Sequence, residues 1–77
     1  MPYIDAKRRS NIKHPKNPGE LNYLFTQIIK DYIKEVGESY RSYNDCIGAL
    51  QCCGLELYRR KIAPYEDKKI EANGDVY

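Results

Sequence analysis

The chain has 77 residues, 42% of them hydrophobic, with 13 Lys and Arg against 11 Asp and Glu for a formal net charge of +2. A chain this short is one domain and buries only about 60% of its unfolded surface, so its core is marginal unless a disulfide, a metal or self-association reinforces it. Three cysteines, one histidine and no apolar run near the roughly 20 residues of a membrane span argue against a disulfide framework and a transmembrane helix.

Cys46, Cys52, Cys53 and His14 form no Cys-x-x-Cys knuckle, so neither zinc nor any other cofactor is expected. The charged N-terminus has no signal-peptide pattern, and the expected compartment is the cytoplasm. Self-association is the reinforcement that remains.

Charge is distributed unevenly. Residues 1–16 carry Lys7, Arg8, Arg9, Lys13 and Lys16 against Asp5, whereas residues 17–77 hold eight basic and ten acidic groups. A basic arm therefore precedes a mildly acidic body, and residues 7–16 offer a place for nucleic-acid phosphates or for the acidic face of a neighbouring copy. Asp5 is placed to cap a short helix through the amides of Lys7 and Arg8, with Asn11, His14 and Pro15 ending it. His14 has no nucleophile or acid near it in sequence and receives no role.

Asn17-Pro18-Gly19-Glu20 is a helix start, with Asn17 as the cap, Pro18 in the first turn and Glu20 reaching back to the cap. Leu21, Leu24, Phe25, Ile28, Ile29, Tyr32, Ile33 and Val36 recur every three or four residues, which predicts an amphipathic helix over 18–36 stopped by Gly37. After a short connection a second helix is expected over 43–63, starting near Ser42 with Asp45 supporting the cap. Its inward face reads Tyr43, Cys46, Ile47, Leu50, Cys53, Gly54, Leu57, Tyr58 and Ile62. The short connection predicts an antiparallel hairpin, and the small side chains of residues 48–54 predict close packing against another backbone. Pro64 is expected to end or kink this helix, leaving a short third helix over 65–72 and a tail over 73–77. The fold class is thus all-α, a single helical domain over 1–77 assembled as a homo-oligomer.

The chemistry concentrates in Leu57-Tyr58-Arg59-Arg60-Lys61-Ile62-Ala63-Pro64-Tyr65-Glu66. Tyr58 and Tyr65 suit stacking on a base, and Arg59, Arg60 and Lys68 suit a phosphate. The same residues also read as an ordinary helix surface, with the arginines paired to Glu56 and Glu66 one turn away. Ser10, Ser39 and Ser42 have no histidine partner and no glycine-rich phosphate loop is present, so the chain is not expected to be an enzyme.

Pro2-Tyr3-Ile4, Pro18-Gly19-Glu20-Leu21-Asn22-Tyr23, Glu56-Leu57-Tyr58-Arg59-Arg60, Ala63-Pro64-Tyr65-Glu66-Asp67-Lys68-Lys69 and Asn73-Gly74-Asp75-Val76-Tyr77 resemble a widespread family of small, mostly uncharacterised proteins of phages and prophages. The resemblance spans nearly the whole chain. It implies a non-catalytic anti-CBASS sponge, an oligomer that sequesters a cyclic oligonucleotide messenger without cleaving it. A nucleic-acid-binding accessory protein and an inhibitor that docks on a host enzyme stand beside it as alternatives.

Overall fold

A computed structural model describes residues 2–10 and 12–77. It is all-α: α1 spans Ala6–Arg9, α2 Pro18–Val36 and α3 Tyr40–Leu57, followed by a π-helical turn at Tyr58–Ile62 and α4 at Ala63–Asn73. No strand occurs among the described residues. Two units are described, Met1–Tyr43 and Asn44–Tyr77.

In the first unit, polar contacts hold the start of α2. Asp5 Oδ1 accepts the Lys7 amide at 2.8 Å and caps α1. The Asn11 stop expected for this helix lies outside the described residues. Asn17 caps α2 by accepting the Glu20 amide at 2.9 Å. Glu20 reaches back toward its cap, the Asn17 side chain being among the groups that lower its pKa, but its main partners lie elsewhere. Its carboxylate turns to Arg8, whose Nε lies 2.8 Å from Oε2 and whose Nη2 lies 3.0 Å from Oε1, and Oε1 also accepts the Lys16 amide at 3.0 Å. A forked guanidinium matches both carboxylate oxygens at once. Glu20 is buried, and the Arg8 hydrogen bonds, followed by the Lys16 amide, hold its pKa down at about 2. Arg9 bonds the Ile4 carbonyl at 2.9 Å and lies 5.8 Å from the Tyr23 ring centre.

Gly37 ends α2 at a φ of +94°, which an L side chain adopts only with strain, and its amide reaches the Ile33 carbonyl. The second long helix then starts at Tyr40, three residues before the expected position 43. Ser39 is the reason. Its hydroxyl accepts the Ser42 amide while the Ser42 hydroxyl accepts the Ser39 amide, each at 3.0 Å, so the cap and its reciprocal partner are Ser39 and Ser42, without Asp45.

In the second unit the helical path runs through Pro64 instead of ending before it. Proline has no amide for the Arg60 carbonyl, and its ring would crowd that carbonyl in a regular α-helix. The chain widens one turn instead, with the Ala63 amide reaching five residues back to the Tyr58 carbonyl. Pro64 then falls in the first turn of α4, where an amide is dispensable. Gly74 stops α4 at a φ of +89°.

The apolar faces expected to point inward are largely open. Cys46 is the buried hydrophobic residue among those described, while Phe25, Ile28, Tyr32, Tyr43, Ile47, Leu50, Leu57 and Ile62 are exposed. Glu20 and Ser42, both polar and fully hydrogen-bonded, are the other buried residues.

Candidate functional site

The π turn carries Tyr58, Arg59, Arg60 and Lys61, and the first turns of α4 carry Tyr65 and Lys68. One carboxylate, Glu56 at the end of α3, receives both arginines: Arg59 Nη2 lies 2.7 Å and Arg60 Nε 2.5 Å from the same Oε1. These spacings are one helical turn, the separation at which side chains meet on a helix surface. The Arg60 hydrogen bond, then that of Arg59, lowers the Glu56 pKa. Both guanidiniums remain two-thirds exposed, so most of their donors face solvent.

Glu66, the second carboxylate expected to pair with an arginine, takes a different partner. The Tyr58 hydroxyl donates to it across the π turn. That hydrogen bond to an anion, reinforced by the nearby Glu66 charge, raises the Tyr58 pKa above the usual phenol value of 10.0. Tyr65 carries the Lys69 ammonium 5.6 Å from its ring centre. Lys68 makes no hydrogen bond or ion pair with a described residue.

Tyr58 and Tyr65 line one open groove of about 790 Å³, together with Glu66, Asp67, Lys69, Ile70 and the tail from Asn73 to Tyr77. Arg59, Arg60 and Lys68 do not line it. The five expected residues therefore separate by chemistry: the two rings in an acidic, partly apolar groove, the two arginines on Glu56, and Lys68 apart from both. Sequence reasoning missed Asp67, Ile70, Asp75 and Val76 as groove walls. The signal for the tail lay in Asn73-Gly74, where the positive φ of Gly74 redirects the chain, and the Tyr77 amide then bonds Asp75 Oδ1 at 2.9 Å.

No group of three or more His, Cys, Asp or Glu is placed to hold a metal among the described residues. Among the described residues no helix is long and apolar enough to cross a membrane. In the basic arm, Arg8 and Arg9 are engaged with Glu20, Ile4 and Tyr23, so the segment expected to offer charge to a nucleic acid commits two of its cations to its own fold.

Residues 1–76 match the model of a family described as a domain of unknown function, DUF6899, and the chain belongs to that family. No curated protein and no solved structure matches it.

Proposed function

We propose that this member of the DUF6899 family is a phage-type binding protein that self-associates and sequesters a cyclic oligonucleotide without cleaving it. The observation that carries this reading is a pair of half-exposed tyrosine rings in one groove, with two arginines that share a single carboxylate on the same π turn as Tyr58. Two guanidiniums on one carboxylate retain a net positive charge and several unused donors, which a phosphodiester can take in forked geometry. The acidic groove repels phosphate, and it suits the base instead. Tyr58 or Tyr65 offers a stacking face, and Glu66, Asp67 or Asp75 can accept from a base amino group. Lys68, with its ammonium unengaged, adds a further phosphate contact.

Self-association supports the reading in two ways. The open apolar faces of α2 and α3 call for a cover that copies of the chain can supply. A symmetric assembly also repeats the Tyr58–Arg60 segment, which matches a ligand whose own phosphates repeat. The cytoplasm of an infected host is the compartment in which such a messenger would be met. A binding protein for DNA or RNA remains the second reading, resting on Lys7, Lys13 and Lys16.

Isothermal titration of the purified protein against a panel of cyclic di- and trinucleotides tests the proposal. Reversible binding with the nucleotide recovered intact is the expected result. Absence of any binding tighter than about 10 μM, near −7 kcal/mol, overturns it.

A further inference from the structure

Between Asp45 and Glu56 ten consecutive residues, Cys46 to Leu55, carry no charge. Only Cys46 is buried and only Gly48 half-buried in that run; the rest is exposed. Depletion of charge over exposed apolar residues marks the centre of a protein interface. Within α3, Ile47, Leu50, Gly54 and Leu57 follow each other at spacings of three, four and three, the seam of a helix that pairs with another helix. Ile47 is 55% and Leu57 57% exposed. The one-residue excess of the π turn brings Ile62 back toward the same side, where an unbroken α-helix would place Lys61.

The seam sets the large Leu50 and the small Gly54 at equal distances on either side of residue 52, so a second copy of the same helix is complementary to it.

We propose that α3 pairs with α3 of a second copy, antiparallel, about a two-fold axis level with residue 52. Ile47 of each helix then faces Leu57 of the other, and Leu50 of each fills the hole left at Gly54 of the other. A parallel pair would stack Gly54 on Gly54 and Leu50 on Leu50, a void beside a crowded layer. The antiparallel pair sets a large residue against a small one at each level. A two-fold interface uses the same patch twice, which accounts for the single uncharged run. The open space around the position of a Gly54 Cβ, with nothing within 4 Å, leaves room for that leucine. This pairing rests on the self-association proposed above and is independent of the nucleotide.

Disulfide trapping of the full chain tests it. The background is Cys52→Ser with Cys53→Ser, which removes the exposed thiols and keeps the buried Cys46. Mild oxidation of an equimolar mixture of Ile47→Cys and Leu57→Cys chains is expected to give covalent heterodimers. Each variant alone is expected to remain uncrosslinked, because in this register like positions lie ten residues, about 15 Å, apart along the axis, beyond the roughly 7 Å Cα separation a disulfide spans. A covalent dimer from Ile47→Cys alone overturns the antiparallel register. A parent chain that sediments as a monomer, or one that sediments as an oligomer while the mixture fails to cross-link, overturns the α3 interface. No nucleotide enters this experiment, so a failed cross-link leaves the ligand reading to its own titration, and a failed titration leaves the pairing standing.

Discussion

The Tyr58 hydroxyl donates to the Glu66 carboxylate across the π turn, joining residues eight apart in sequence. While Glu66 is ionised, the contribution of this bond is complete below the ordinary phenol value near 10 and is lost as pH rises through the raised value of Tyr58. Glu66→Gln removes the anion, and Tyr58 is expected to titrate back toward 10. The phenolate absorbance of the parent minus that of Tyr58→Phe isolates this one tyrosine. Pro64→Ala restores an amide and lets the turn tighten, so it should lower the Tyr58 titration in the same way with helicity retained. A Tyr58 midpoint unchanged in both variants contradicts the contact.

Glu20 responds to acid. Its pKa is depressed to about 2 in the folded chain, so the stability it contributes is present above its unfolded value near 4.3 and is lost as pH falls from there toward 2. Thermal melts followed by circular dichroism between pH 2 and 6 should show this decline in the parent. Glu20→Gln should flatten it, at the cost of lower stability near neutrality because the buried Arg8 contact is broken. A decline of the same size in Glu20→Gln would assign the acid sensitivity elsewhere.

Ser39 and Ser42 satisfy each other's amides, and loss of a serine cap costs about 1 kcal/mol. Ser39→Ala should lower the denaturation midpoint accordingly, whereas Asp45→Ala should leave it nearly unchanged. The reverse order would restore the start of the helix to Ser42.

For the ligand, Arg60→Ala should weaken cyclic-nucleotide binding by roughly 10- to 150-fold, the value of one charge-assisted contact. Arg60→Lys should recover only part of that loss, since an ammonium cannot reproduce the fork. Glu56→Gln releases both guanidiniums and removes a competing anion, so it should tighten binding. Calorimetric titration of the three variants reads all of these, and weaker binding by Glu56→Gln would count against a phosphate at this position.

The ends of α2 are legible because Asn17, Pro18 and Gly37 each act through local backbone chemistry. The start of α3 is less legible: Ser39 and Ser42 are equally good caps, and only their reciprocal geometry decides between them. Pro64 is legible only as an end or a kink, because the missing amide marks an interruption, while its form, a turn widened by one residue, depends on how well the flanking segments continue as helix. Periodicity shows that Ile47, Leu50 and Leu57 share a face but says nothing of what covers it. At the site, Glu56 as the arginines' partner follows from helical spacing. The assignment of Glu66 to Tyr58 does not, because the extra residue of the π turn changes which side chains meet.

The pairing of Arg8 with Glu20 also fixes how many counterions the basic arm can release. A cation already neutralised by a buried carboxylate displaces none when a polyanion arrives, so Arg8 is silent in the salt dependence of nucleic-acid binding. Each additional phosphate contact steepens the plot of log affinity against log salt by about 0.9 on duplex DNA. Glu20→Gln should therefore steepen that plot by about one such increment if residues 7–16 engage DNA, while a slope identical to the parent's would mean that the freed Arg8 does not reach a phosphate.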